Sequence, residues 1–250
     1  MTPDLSGIEA IFIDDGGVMN DNERRGQQWL RFLAEYLVPR LGGDHAAWEA
    51  ANLEVLKRTM PMFIEGTGFP LKGGFREAER KMAIVGFRDM CEIVGVAAPD
   101  DDGECYGISR ATTEYVIQRV RSDYPGAADA IRALHGAGYR LYTASGTYSF
   151  DIQVFLKGMG VSDLFTRTYG PDLIDTHKGS RHYYEGILAD SGESPATSLF
   201  LDDSEKSIGW IVEAGARAIL VSPVEQKSTD AIAVLGALSE LPEFLARQRV

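Results

Sequence analysis

The chain has 250 residues, 44% hydrophobic and 25% charged, the balance of an ordinary soluble globular protein and enough for one large domain or a core with an insertion. Its formal net charge of -12 argues against a nucleic-acid partner or an anionic membrane surface, but not against a phosphorylated small molecule, since a lysine or metal ion inverts the field inside one cleft. Cys91 and Cys105 form no disulfide framework and fit a reducing cytoplasm, no signal peptide is visible at the start, and no apolar run is long enough to span a bilayer.

The first informative stretch is Ala10-Ile11-Phe12-Ile13, a short apolar run that reads as a buried strand of a parallel sheet. It runs into Asp14-Asp15-Gly16-Gly17. A carboxylate at the carboxyl end of such a strand serves as nucleophile, metal ligand or both. The two glycines let backbone approach a bound group closely. The plain alternative is a strand followed by an Asx/Gly turn.

Helical spacing then takes over. Trp29, Leu30, Phe32, Leu33, Tyr36 and Leu37 mark one helix, ended by Pro39 and Gly42-Gly43. Asp44 caps a second, carrying Trp48, Ala51, Leu53 and Leu56. Pro61 and the loop Gly66-Thr67-Gly68-Phe69-Pro70 break the pattern. A charged amphipathic run follows Gly73-Gly74 with Phe75, Ala78, Met82, Ile84, Val85 and Met90. Residues 97–103 are an acidic break, and a further helix covers about Tyr106 to Val120. Nothing between Asp21 and Arg121 reads as a buried strand, so residues 21–120 form an all-helical insertion whose aromatic residues belong to its core. Arg24, Arg25, Lys72 and Arg76 are candidates to reach a substrate from it, against the plainer reading of solvated surface charge.

Tyr124-Pro125-Gly126 opens a different regime. A helix over residues 127–136 leads to a strand from Tyr139 to Ala144 that ends at Ser145-Gly146. A helix over 150–157, a short strand over 164–169 and a helix over 180–190 follow, the last preceded by Lys178. Ser198-Leu199-Phe200-Leu201 is a strand ending at Asp202-Asp203. Residues 207–214 are helical, Ala218-Ile219-Leu220-Val221 is the last clear strand, and Leu241 to Arg247 is a closing helix. Alternating strands and helices imply βαβ units with right-handed crossovers. The expected fold is α/β: a doubly wound parallel sheet built from residues 1–20 and 121–250, with the helical domain inserted.

Three strands thus end in polar groups, Asp14-Asp15, Ser145-Gly146 and Asp202-Asp203, and a parallel sheet puts all three ends on one edge with Lys178. The set suits phosphoryl transfer. Carboxylates hold Mg²⁺ with oxygen ligands, while a hydroxyl and an ammonium take phosphate oxygens. His177 and His182 lack metal-ligand spacing, so zinc is not expected, and His45 and His135 are incidental.

In this order and spacing the motifs resemble those of haloacid dehalogenase (HAD) superfamily hydrolases with a helical C1-type cap, over essentially the whole chain. The resemblance makes Asp14 the nucleophile, Ser145 the hydroxyl of the second strand, Lys178 the lysine of the third motif and Asp202-Asp203 the acidic fourth motif. It implies that Asp14, the backbone of Gly16, Asp202 and Asp203 surround Mg²⁺, and that Ser145, Gly146 and Lys178 hold the phosphate. Residues 177–184 stand where members often show Lys-Pro-x-Pro-x-x-Tyr. One departure matters: the family's phosphatases usually carry a second Asp, the general acid/base, where this chain has Gly16. A subset reading Asp-x-Gly-Gly-Val is similar to this chain, and some of its members are phosphatases. The other register makes Asp15 the acid/base and puts Ile13 at the nucleophile position, as in an inactive relative. Asp15 also alternates away from Asp14 on a strand, which suits a structural role.

The resemblance implies a Mg²⁺-dependent phosphomonoester hydrolase of a small soluble metabolite, acting through an aspartyl-phosphate on Asp14, as monomer or homodimer. A 2-haloacid dehalogenase is the competing enzyme, since those relatives also lack the second Asp. A catalytically weak phosphate-binding relative is the non-enzymatic reading.

Overall fold

The computed structural model describes residues 5–65, 74–224 and 227–248, residues 60–65 by their backbone alone. Contacts divide the chain into two units, Met1–Asn22 with Ser122–Val250, and Glu23–Arg121.

The first unit is built on a six-stranded sheet. Its strands are β1 (Ala10–Ile13), β2 (Arg140–Ala144), β3 (Phe165–Tyr169), β4 (Ser198–Asp202), β5 (Arg217–Val221) and β6 (Ala233–Leu235). They lie in the order β3-β2-β1-β4-β5-β6, every pair parallel. The chain moves outward from β1 on one side, then returns to lay β4 on the other. The carboxyl ends of β1 and β4 therefore flank the point where strand order reverses, which is where open α/β sheets place their crevice. Ile13 is level with Thr143 and with Leu201, so Asp14 emerges beside the ends of both neighbours.

Side-chain alternation along β1 builds two cores. Ile11 and Ile13 join Leu141, Leu199, Leu201 and Ile219 on one face. That face is covered by α5 (Ala127–Gly136), α6 (Ser149–Gly158) and α10 (Leu241–Gln248). Ala10 and Phe12 point to the other face, where Phe12 stacks between Tyr142 at 4.7 Å and Phe200 at 4.3 Å, its partners in register. There α8 (Arg181–Ser191) and α9 (Glu205–Glu213) bring in Tyr183, Tyr184, Ile187, Ile208 and Ile211. Burial on both faces is why β1 is uniformly apolar.

Two elements go beyond the sequence reading. β6 has three residues and α7 (Pro171–Ile174) four, too few for either hydrophobic period to register. β4 also takes in Asp202, which pairs with Leu220.

The second unit, as described, is helical: α1 (Asn22–Leu41), α2 (His45–Glu65), α3 (Gly74–Val94) and α4 (Asp102–Ile117). Trp48 is fully buried, its indole donating to Gly42 O at 2.9 Å, in a core with Leu37, Phe87, Cys91 and Cys105. Asp44 caps α2 through Ala47 N, as its sequence implied. Three boundaries differ from expectation. Pro39 lies inside α1, which ends at Gly42 and Gly43, both with positive φ; a proline this close to the end removes only one helical bond. Pro61 likewise falls within α2. The acidic stretch read as a break supplies the start of α4, because the Asp101 carboxylate accepts from Glu104 N at 2.8 Å. Leu53 and Val85, expected inward by spacing, are exposed. The 66–70 loop, Lys72 and Gly73 lie outside the described residues, while Arg24 and Arg25 fall on α1 and Arg76 on α3. Among the described residues no helix is long and apolar enough to cross a membrane.

Candidate active site

Asp14 extends the ladder one residue past β1, its N–H donating to Leu201 O at 3.0 Å. Its side chain is nearly buried and turns to Lys178, whose Nζ lies 2.9 Å from Asp14 Oδ1 and 2.8 Å from Asp202 Oδ2. Lys178 reaches this point from the connection between α7 and α8, folded by a left-handed Asp175 and a Gly179 N–H to His177 O bond. Tyr184 Oη stands 3.4 Å from the same Asp202 oxygen, and Ser204 N donates to the other at 3.0 Å.

Asp203 completes the acidic set. Asp14, Asp202 and Asp203 each offer a carboxylate oxygen, all within 4.8 Å of one another. Asp203 is exposed where the other two are buried. Its carboxylate fills the position a side chain on Gly17 would need, and Gly17 adopts φ +82°, so glycine is required there twice over.

Ser145 is buried at the end of β2. Its hydroxyl accepts from Thr147 N at 3.1 Å, and its carbonyl accepts from Tyr183 Oη at 2.6 Å, which ties the end of β2 to α8. The Cα of Gly146 faces the Lys178 stem, with room for a methyl group at 3.9 Å. Asp14, Ser145, Gly146, Lys178, Asp202 and Asp203 thus gather at the carboxyl edge of the sheet. Asp15 does not join them. It is fully buried, accepts from Asn20 Nδ2 at 2.7 Å, and its carbonyl takes the N–H groups of Met19 and Asn20. It braces the loop. Gly16 bridges to Asn20 in that loop, and its Cα faces the side chain of Asn22.

The charges are unbalanced. Burial, with Asp202 and Asp203 beside it, pushes the Asp14 carboxyl up to about 8, while Lys178 pulls the other way. Burial alone would lower Lys178, but Asp14 and Asp202 hold its pKa well above the usual lysine range. Asp203 is raised too, by burial and by Asp202. One ammonium against three carboxylates leaves room for a proton or a further cation. The donors are all hard oxygens, so the set suits Mg²⁺ rather than zinc. Burial lowers His177 and raises Tyr183 and Tyr184, so these three remain neutral.

Tyr183, Tyr184, Asn20 and Asn22 were not singled out in the sequence. The tyrosines sit within the stretch that stands at the family's Lys-Pro-x-Pro-x-x-Tyr, and that was their one available signal. The asparagines have none, because their roles come from a loop closing on itself.

A doubly wound α/β core with a buried carboxylate and a lysine at its switch point defines a Rossmann-like hydrolase. The chain belongs to the haloacid dehalogenase-like hydrolases, whose family model matches residues 8–215. Its fold is similar to that of the magnesium-bound HAD-hydrolase YfnB from Bacillus subtilis, at TM-score 0.69 and 17% identity, covering 95% of this chain and 98% of that one. A 2-haloacid dehalogenase from Pseudomonas syringae pv. Tomato DC3000 gives 0.64 at 16% identity, over 96% and 99% of the two chains. L-2-haloacid dehalogenase from Xanthobacter autotrophicus gives 0.61 at 17%, over 96% and 98%. No curated protein matches the chain in sequence.

Proposed function

We propose that the chain is a Mg²⁺-dependent phosphomonoester hydrolase of a small soluble metabolite, with the helical unit as its C1-type cap. The observation that carries this reading is the clustering of Asp14, Asp202 and Asp203 around one point, with Lys178 on two of them. Asp14, Asp202, Asp203 and the Gly16 backbone would hold Mg²⁺, which when bound neutralises phosphate charge and the attacking carboxylate. Lys178 orients Asp14 and lowers repulsion between its carboxylate and an anionic ester. Asp14 attacks phosphorus to give an aspartyl-phosphate, which water then cleaves. Ser145 and the Gly146 N–H take the remaining phosphate oxygens. The position of Asp15, held on Asn20, favours the register in which Asp14 is the nucleophile.

The second reading is a 2-haloacid dehalogenase, in which Asp14 attacks carbon. The dehalogenases of similar fold favour it, as does Gly16 in place of a second carboxylate. The paired charge of Asp202-Asp203 weighs against it, since a site without metal has no use for it. Phosphate release from a panel of esters, with and without Mg²⁺, separates the two. The phosphatase reading expects Mg²⁺-dependent release that Asp14→Asn abolishes. Chloride release from 2-chloropropionate with no phosphate release would install the dehalogenase. Silence in both assays would leave the phosphate-binding relative.

A further inference from the structure

Alternation past β1 decides which way residue 16 points. Asp14 faces the crevice and Lys178, and Asp15 turns away to Asn20. The side-chain direction at Gly16 therefore returns to the side of Asp14. That direction is taken. A Cβ on Gly16 would stand 2.5 Å from Asn22 Oδ1, 3.1 Å from Nδ2 and 3.2 Å from Cγ. On the far side of the same dipeptide, Gly17 lies against the Asp203 carboxylate. The Asn22 carboxamide thus fills the space of a residue-16 side chain, next to the acidic cluster. Asn22 opens α1 and is exposed, so its amide is open to a bound molecule.

We infer that Asn22 contacts the leaving-group oxygen of the substrate and restricts the enzyme to phosphates whose leaving group departs as a stabilised anion: acyl phosphates, phosphoric anhydrides and aryl esters. This rests on the phosphatase reading. A carboxamide donates a hydrogen bond but does not release a proton, so it stabilises a departing oxyanion without neutralising it. In the first step an Asp14 oxygen bonds to phosphorus, and the bond from phosphorus to the leaving oxygen breaks. Its electron pair stays on that oxygen, which leaves as a carboxylate, phosphate or phenolate. In the second step water bonds to phosphorus, the pair of the broken P–O bond returns to Asp14, and the water proton passes to solvent. An alkyl ester would release an alkoxide, which needs the proton that position 16 lacks.

The test is the dependence of kcat/KM on leaving group, using acetyl phosphate, p-nitrophenyl phosphate and glycerol phosphate on wild type, Asn22→Ala and the double variant Gly16→Asp/Asn22→Ala. The wild type should prefer the first two over glycerol phosphate by about 10²-fold or more, the usual worth of one acid/base group. Asn22→Ala should lower activity most for glycerol phosphate, whose leaving oxygen carries the most charge. The double variant, with an acid in the cleared space, should raise glycerol phosphate turnover at least about tenfold over Asn22→Ala and leave acetyl phosphate little changed. Thermal unfolding gives a second readout: Gly16→Ala should lower Tm, and adding Asn22→Ala should restore it. Unchanged leaving-group dependence in an active wild type and both variants overturns the inference and leaves the phosphatase reading standing. So does equal Tm for Gly16→Ala with and without Asn22→Ala. A wild type silent on every phosphate overturns both.

Discussion

At the scale of single residues, the site depends on charges that balance only jointly. Lys178 holds Asp14 and Asp202 at once, so Lys178→Met leaves three close carboxylates with no countercharge. Such a loss should cost at least about 3 kcal/mol in folding or force proton uptake, and calorimetric unfolding against wild type measures it. A different ion pair sits at the opposite end of β2. Glu193 accepts from Arg140 at 2.6 and 2.7 Å and from Tyr142 Oη at 2.7 Å, and Arg140 also reaches Glu9. Hydrogen bonds from Arg140, opposed by burial, hold Glu193 below its ordinary carboxylate pKa. A depressed carboxylate contributes stability that is present above its unfolded value, 4.5, and is lost as pH falls through the folded one. Glu193→Gln should therefore cost about 1 kcal/mol or less near neutrality, discounted because Arg140 is half exposed, and nothing once the medium is acid enough to protonate Glu193. Tm against pH for both proteins checks this. A difference that persists in strong acid would mean the loss is one of packing.

At the scale of elements, β1 holds the site by being buried on both faces. Phe12→Ala removes a ring stacked between Tyr142 and Phe200 and should cost about 3–5 kcal/mol, read as a lower denaturation midpoint at unchanged slope. The strands that carry the site residues were legible in the sequence because each is an apolar run ending in polar residues: Ile13 before Asp14, Ala144 before Ser145, Leu201 before Asp202. β6 and α7 were not legible, being shorter than the period that would reveal them. Pro39 and Asp101 misled for opposite reasons. The proline sits where a helix is already ending, and the acidic stretch starts a helix rather than separating two. In the site, the residue types that carry charge could be read from order and spacing. The hydrogen-bond partners could not. Tyr183 on Ser145 O, Asn20 on Asp15 and Asn22 over Gly16 arise from packing between segments that sequence spacing does not relate.

At the scale of the molecule, the acidic cluster couples stability to pH and to metal. Burial raises Asp14 from 3.8 to about 8, so between those values the metal-free native state holds more protons than the unfolded chain. Its stability should fall as pH rises through that window. Mg²⁺ competes with the proton for the same oxygens, so its stabilising effect should grow toward the upper end. Thermal unfolding with and without Mg²⁺ across the window tests this, and a shift in Tm that shrinks as pH rises would contradict it. The central claim is that Asp14 becomes a phosphoryl carrier. The most direct measurement is acid quench of the wild type turning over acetyl phosphate with Mg²⁺, followed by peptide mass spectrometry. The account predicts phosphate on the peptide bearing Asp14, removed by hydroxylamine and absent from Asp14→Asn. Turnover without that adduct, or an Asp14 found alkylated after 2-chloropropionate, would contradict it.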